Sequence, residues 1–147
     1  MTISIGSDHA GFEYKESIKA MLEEHGHTVI DVGTNSAESV DYPDYGQAAA
    51  ELVRSGQATY GVLVCGSGIG ISIAANKLPG IRAANCTSTT MATLARQHND
   101  ANIVAVGQRL VSIEEARSIV QTFLETPFEG GRHQRRVDKI EPGGGAS

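Results

Sequence analysis

A cysteine followed by alternating glycines is the strongest chemical signal in this sequence. Cys65 opens the hexapeptide CGSGIG, whose backbone N–H groups can converge on one anion because its glycines carry no Cβ and a helix start follows. A thiolate at this point could act as a base, since a helix N-terminus favours the charged form. The alternatives are a tight turn without a ligand and a cysteine that is only a small buried hydrophobe. The loop residues concerned are Gly66, Ser67, Gly68, Ile69 and Gly70.

The spacing of this loop excludes several common phosphate and nucleophile motifs. Ile71 stands where a dinucleotide fingerprint needs glycine and where a thiol phosphatase loop needs arginine. No Gly-Lys-Ser/Thr follows, so the loop is not a P-loop, and Cys65 takes the place of the first glycine of a nucleophile elbow. The second cysteine, Cys86, lies in an apolar stretch and is interpreted as a core residue.

Two pairs of polar residues could add acid, base or hydroxyl-binding groups. Asp8-His9 follows a predicted strand and could hold sugar hydroxyls or a phosphate, although Asp8 could equally cap the next helix. His98-Asn99 ends a predicted helix, where the histidine is either a general acid–base or a residue favoured by the helix dipole. No pair of histidines or cysteines has the spacing of metal ligands, so we expect no metal.

A cationic segment near the end of the chain suggests a small anionic ligand. Residues 130–140 carry four basic side chains and one acidic side chain, a net charge of +3, whereas the whole chain has a net charge of -5. Arg132 and Arg136 are four residues apart, so one helical face presents both guanidinium groups. The alternative is a solvated basic helix without a ligand.

The elements that must position these residues alternate along the chain. Apolar runs predict strands at 2–6, 28–32, 60–65, 81–85 and 102–106, and helical patterns lie between them. This order predicts an α/β fold with five parallel strands and helices on both faces. Parallel strands end at the same edge of a sheet, where ligands bind. We therefore expect Asp8, the loop after Cys65, and Arg109 to lie along one edge.

Length and composition restrict the class of protein. The chain has 147 residues, which favours a single domain over residues 1–141, and the glycine-rich segment 142–147 is expected to be a flexible tail. The acidic net charge and an aromatic content of 5% argue against nucleic-acid binding. No apolar run is long enough to cross a membrane and two cysteines cannot form a disulfide framework, so a cytoplasmic location is expected.

Together these motifs resemble one enzyme family over nearly the whole chain, from Ile3 to Ile140. The segments SDHAG, SVDYPDY, CGSGIGISIAANK, PGIRAA, RQHNDANI and FEGGRHQRRVDKI resemble type B ribose-5-phosphate isomerases and the related galactose- and allose-6-phosphate isomerases. The resemblance implies a Rossmann-like three-layer α/β/α sandwich, no cofactor, and a homodimer or dimer of dimers whose active sites are shared between subunits. It also implies interconversion of ribose 5-phosphate and ribulose 5-phosphate through a cis-enediolate, a reaction of the pentose phosphate pathway.

The resemblance assigns roles to individual residues. Cys65 matches the family's base, and its loop matches the part that binds the enediolate. His98 matches the histidine that opens the sugar ring, with Asn99 beside it. The remaining matches contact the substrate: Asp8 and His9, the tyrosine Tyr42 near the sugar, and the arginines Arg109, Arg132 and Arg136, which bind the phosphate and the ring.

The sequence departs from the family pattern at Ser67, where threonine is frequent, and at 86–91, where relatives carry an acidic and an aromatic residue. The second departure leaves allose 6-phosphate and galactose 6-phosphate as alternative substrates. A nucleotide-binding sensor module is the alternative outside the enzymes. It would use the glycine loop and the arginines but would not need Cys65 or His98.

Overall fold

Five parallel strands form one sheet in the computed structural model, which describes residues 1–142. Along the chain the strands are β1 (Thr2–Ser7), β2 (Thr28–Asp31), β3 (Tyr60–Cys65), β4 (Ala83–Asn85) and β5 (Ile103–Gly107), and their order across the sheet is β2-β1-β3-β5-β4. The helices are α1 (Phe12–Glu24), α2 (Tyr42–Arg54), α3 (Ile69–Ala75), α4 (Thr89–Asn99), α5 (Ile113–Glu125) and α6 (Arg132–Asp138). This confirms the predicted α/β fold with its five-stranded parallel sheet.

The side chains of each strand point alternately to the two faces of the sheet, and this divides the core into two layers. On one face, side chains such as Val62 and Val64 pack with α1, α4 and α5. On the other face, Leu63 and Cys65 pack with α2 and α3. Because successive side chains of a strand point to opposite faces, an apolar strand such as β3 can bury both of its faces. The three-layer sandwich follows from this pattern.

The connections place a crevice between β1 and β3. The chain leaves β1 through α1 on one face and reaches β3 through α2 on the other, so the direction of the strand order reverses between them. Ligands of open α/β sheets bind at such a reversal, outside the carboxyl ends of the strands. Asp8-His9 follows β1 and Cys65 ends β3, so both flank this crevice.

The observed elements differ from the predicted ones at their ends. Strand β4 begins at Ala83 rather than at residue 81, because the N–H of Ile81 donates to the Leu78 carbonyl in a turn and the N–H of Arg82 donates to the Asn102 side chain. Helix α3 begins at Ile69, directly after Gly68 with its positive φ of 78°. Apart from Pro142, the predicted flexible tail lies outside the described residues. Within residues 1–142, no helix is long and apolar enough to cross a membrane.

A buried arginine holds the turn that follows His98. Arg96 is only 4% exposed, and its guanidinium lies 4.8 Å from the centre of the Tyr60 ring. Its Nη1 donates to the Ala101 carbonyl at 2.6 Å and to Asp100 Oδ1 at 2.8 Å. Asp100 has a φ of 46°, a left-handed conformation that ends α4. The position of the His98 backbone therefore depends on hydrogen bonds made beneath it.

A buried lysine holds the opposite edge of the sheet. Lys15 of α1 is fully buried and donates to Asp31 Oδ2 at 2.6 Å, while Asp31 Oδ1 accepts from the N–H of Gly33 at 2.8 Å. Gly33 and Thr34 exchange backbone hydrogen bonds with Ser7, the residue before Asp8. Burial alone would raise the pKa of the Asp31 carboxyl, but the hydrogen bonds from Lys15 and Gly33 lower it below its usual value.

We expect Asp31→Asn to destabilise the protein by about 1–3 kcal/mol at pH 7, because it removes the buried counter-charge of the Lys15 ammonium and leaves only the more exposed carboxylate of Glu16, 2.8 Å away. Urea denaturation measures this loss. The folded-state pKa of Asp31 is lowered, so its contribution is present above the unfolded pKa of about 3.9 and disappears as the pH falls through the folded value. The difference between variant and wild type should therefore shrink below pH of about 4.

Lys19→Ala is the matched control, since Lys19 also contacts Asp31, at 3.3 Å, but is partly exposed. It should cost no more than about 1 kcal/mol. Equal losses from the two substitutions would contradict the assignment of the stabilisation to the buried pair.

Candidate functional site

A cavity of about 580 Å³ opens at the carboxyl ends of the central strands. It lies at the reversal point between β1 and β3, and it extends to the segment that follows β5. Most of the residues that the sequence analysis selected line it. The lining residues are Asp8, His9, Ala10, Tyr42, Cys65, Gly66, Ser67, Ile69, Gly70, Arg109 and Leu110.

The Cys65 thiol lies at the bottom of a tight glycine turn. Its Sγ accepts a hydrogen bond from the N–H of Gly68 at 3.1 Å, and the residue is 4% exposed. A Cβ on Gly68 would lie 2.4 Å from Asn85 Oδ1, and a Cβ on Gly107 would lie 2.6 Å from the Ser67 backbone. Glycine is therefore required at both positions, because the loop packs directly against the end of β5.

Two of the loop amides are already used within the loop. The Gly68 N–H points at Cys65 Sγ, and the Ile69 N–H donates to Ser67 Oγ at 3.1 Å. The glycine spacing predicts that the loop amides converge on a bound anion. In this structure the first of these two amides donates to the Cys65 sulfur and the second to the Ser67 hydroxyl.

The glycines of the loop also leave room for larger polar side chains. A Cβ on Gly66 would lie 3.0 Å from Nη1 of Arg109, and a Cβ on Gly70 would lie 2.7 Å from the Tyr42 ring. The guanidinium and the phenol thus lie against backbone on either side of the loop. Within the described residues, no carboxylate lies within 4.0 Å of the Arg109 guanidinium.

Asp8 and His9 are fixed by local hydrogen bonds. Asp8 Oδ1 accepts from the N–H of Gly11 at 3.0 Å, so this carboxylate caps the short 3-10 helix His9–Gly11, as one of the two predicted alternatives has it. His9 Nδ1 accepts from the N–H of Val40 at 3.1 Å. An amide N–H can only donate, so the neutral ring carries its proton on Nε2. His9 therefore offers a hydrogen-bond donor to the cavity.

The other selected residues lie elsewhere in the same chain. Helix α4 leads from the carboxyl end of β4 to the amino end of β5, so its last residues, His98 and Asn99, lie at the opposite edge of the sheet from Cys65. Strands of five or six residues span about 17–20 Å. Asn99 borders a different cavity, of about 380 Å³, together with Asn76 and Arg82.

Helix α6 packs against α4 and brings the cationic segment to His98. The rings of His98 and His133 stack with their centres 4.3 Å apart. Arg132 and Arg136 lie on the same helix as His133 and are exposed, and no carboxylate of the described residues lies within 4.0 Å of either guanidinium. Desolvation and the positive charges of His98 and Arg132 lower the pKa of His133.

One acidic group near this helix is not indicated by any sequence motif. Glu129 Oε1 lies 3.8 Å from His98 Nε2 and 3.6 Å from His133 Nε2. Glu129 and His133 are four residues apart, but His98 lies in a different element, so no local spacing motif joins all three. Only the packing of α6 on α4 joins them.

Cys86 behaves as the core residue that was predicted. It is 1% exposed among the side chains between the sheet and α4, and burial raises the pKa of its thiol to about 11. Residues 86–91, which depart from the family pattern, lead into α4. Ser88 Oγ caps this helix by accepting a hydrogen bond from the Met91 N–H at 3.1 Å. None of residues 86–91 lines the cavity at Cys65.

Comparisons with known proteins show the family of this chain. The model of the family described as Ribose/Galactose Isomerase matches residues 3–140. Ribose-5-phosphate isomerase B of Escherichia coli is 51% identical, with 94% of this chain and 93% of that protein covered. A putative sugar phosphate isomerase of Bacillus subtilis is 46% identical, with 95% of both chains covered.

Solved structures give the same result. Ribose-5-phosphate isomerase B of Clostridium thermocellum superimposes with a TM-score of 0.94 at 55% identity and covers 95% of each chain. The type B ribose 5-phosphate isomerase of Trypanosoma cruzi gives 0.94 at 45% identity and covers both chains completely. The family match over nearly the whole chain, the high identity and the shared fold lead to one conclusion: this chain belongs to the ribose/galactose isomerase family.

Proposed function

We propose that this protein interconverts D-ribose 5-phosphate and D-ribulose 5-phosphate through a cis-enediolate. The observation that carries the proposal is the Cys65 thiol, which lies in the cavity at the carboxyl end of β3 with an amide donor 3.1 Å from its sulfur. Two relatives that are 51% and 55% identical are named ribose-5-phosphate isomerase B. A thiol in a cavity with arginine, histidine and carboxylate groups fits the requirements of this reaction.

The chemical step moves one proton between neighbouring carbons. The Cys65 thiolate takes the C2 proton of the open-chain aldose, and negative charge develops on O1 as the enediolate forms. The thiol then returns the proton to C1, while the O2 proton passes to O1, and the ketose results. We assign the stabilisation of the developing charge to the loop amides of Gly66, Ser67 and Gly70, with the His9 Nε2–H as a further donor.

The groups at the opposite edge of the sheet supply the remaining functions. His98, with Asn99, opens the furanose ring by acid–base catalysis. Arg132 and Arg136 bind the phosphate. At the Cys65 cavity itself, Arg109 and Tyr42 contact the sugar beside the thiol. Binding of the phosphate away from the reacting carbons aligns C1 and C2 with the base.

These two sets of groups cannot meet within one chain, so we propose a homodimer, alone or as half of a dimer of dimers, whose sites are shared. The second copy brings its His98, Arg132 and Arg136 to the cavity of the first. Ile69 and Leu110, which line the cavity, support this arrangement, as does Ile73, which lies four residues after Ile69 in α3, because each of the three is more than half exposed. Apolar side chains in such a cluster are typical of a protein interface.

The base assignment predicts a large difference between the two cysteines. Cys65→Ala should lower kcat for ribulose 5-phosphate formation by about 10²–10⁴-fold, because the proton acceptor is removed. Cys86→Ala is the matched control and should leave turnover within about twofold, since the Cys86 thiol is buried on the far side of the sheet from the cavity. A coupled assay for ribulose 5-phosphate measures both, with allose 6-phosphate and galactose 6-phosphate as alternative substrates.

An active Cys65→Ala variant, or equal losses from the two substitutions, would refute the role of Cys65. Preferential turnover of a hexose phosphate by the wild type would refute the proposed substrate.

The phosphate assignment predicts a difference along one helix. Arg136→Ala should raise KM for ribose 5-phosphate about tenfold to a hundredfold, because a hydrogen bond to a charged group contributes about 1.5–3 kcal/mol. Arg132→Ala should do the same, since both side chains project from one face of α6. Arg135→Ala is the control, because Arg135 lies about 100° away from Arg136 around the helix axis.

The decisive quantity is kcat/KM for ribose 5-phosphate relative to unphosphorylated ribose. Arg136→Ala should narrow this ratio and Arg135→Ala should leave it unchanged. If both substitutions narrow it equally, the segment attracts anions generally and does not bind the phosphate through one helical face.

A further inference from the structure

Three potential metal ligands meet where α6 packs against α4. They are His98 at the end of α4, His133 of α6, and Glu129 in the connection before α6. Glu129 Oε1 lies 3.8 Å and 3.6 Å from the Nε2 atoms of His98 and His133, and all three ligand atoms lie within 4.8 Å of one another. These separations are too long for hydrogen bonds. The three ligand atoms therefore lie around a common point, and Glu129 forms no hydrogen bond with either imidazole.

The donor set and its dimensions suit a zinc-type cation. Two imidazoles and one carboxylate are a known three-ligand combination for tetrahedral Zn²⁺, with metal–ligand distances of about 2.0–2.2 Å. Ligand atoms of such a tetrahedron lie about 3.3–3.5 Å apart. The two measured separations from Glu129 exceed this range by a few tenths of an ångström. The stacked rings of His98 and His133 are 11° from parallel, so the two imidazoles must tilt toward each other to share an ion.

The backbone beneath the cluster is fixed while its side chains remain accessible. The Glu129 N–H donates to the Gln97 carbonyl at 3.1 Å, and the His133 N–H donates to the Gly130 carbonyl at 3.0 Å. The His98 and Glu129 side chains are 41% and 50% exposed, so an ion can enter from solvent. Arg132 and Arg136 lie on the same short helix, and their positive charges weaken cation binding.

We propose that His98, Glu129 and His133 bind one divalent transition-metal ion such as Zn²⁺, and that the bound ion reversibly inhibits the enzyme. Coordination occupies Nε2 of His98 and withdraws its lone pair from the acid–base catalysis proposed for that residue. The inhibitory part rests on the function proposed above, whereas binding of the ion does not. Because three ligands leave one coordination position open and two arginines lie nearby, the site is expected to exchange its ion readily.

Calorimetric titration with Zn²⁺ alone, on chelator-treated protein, tests the binding. The wild type should bind about one ion per chain. Glu129→Gln and His133→Ala should each weaken zinc binding at least about tenfold, since mutation of a residue that only hydrogen-bonds a metal ligand already lowers metal affinity about 10–100-fold. Glu125→Gln and His25→Ala are matched controls that should not change the affinity. Cys65→Ser should also retain binding, which separates the proposed site from zinc capture by the thiol.

Absence of binding in the wild type would overturn the proposal. So would binding that Cys65→Ser abolishes and that Glu129→Gln and His133→Ala leave intact.

The isomerase assay tests the inhibition, with each variant compared with and without Zn²⁺. Glu129→Gln should require at least about tenfold more zinc for half-inhibition than the wild type. Zinc binding at this cluster without inhibition would overturn the inhibitory role. If the metal-free wild type shows no isomerase turnover at all, the proposed function fails, while the calorimetric result still decides whether the metal site exists.

Discussion

The length of the parallel strands is the constraint on which the rest of this structure depends. Every strand ends at the same edge, so Cys65, Asp8 and His9 gather there. A helix that joins two parallel strands must return to the other edge, so α4 carries His98 to the amino edge, which is separated from the carboxyl edge by a strand length of about 17–20 Å. One chain consequently holds these groups at two separate edges, and the proposed homodimer brings the two sets together.

Each edge is held by a buried charge that is satisfied by hydrogen bonds. Lys15 and Asp31 join α1 to the segment that pairs with the end of β1, and so set the position of Asp8-His9. At the other edge, Arg96 donates to two groups of the turn after His98. Buried charges are costly unless they are fully paired, so each of these hydrogen-bond networks fixes the conformation of the backbone segment that it contacts. The side chains that are proposed to react are thereby positioned by groups that do not touch the substrate.

Much of the site at the carboxyl edge could be predicted from the sequence, because strand order and glycine spacing are local signals. The apolar run of β3 and the glycines after it predicted where Cys65 would lie. The use of the Gly68 amide by the thiol could not be predicted, since it depends on how the turn closes against β5. The cluster of His98, Glu129 and His133 was missed for a similar reason: it exists only because α6 packs on α4. The separation of His98 from Cys65 was implicit in the order of the elements, since a helix between parallel strands ends at their amino edge.

Complementation between two inactive variants tests the shared site most directly. Cys65→Ala and His98→Asn are prepared separately, unfolded together and refolded as a mixture. If the sites are shared between copies, each mixed dimer contains one site with both Cys65 and His98 intact and one site with neither. Random assembly makes half of the dimers mixed, so the mixture should recover about a quarter of the wild-type activity. Activity that stays at the level of the two parent variants would contradict the account, because it would place the thiol and the histidine of each working site in the same chain.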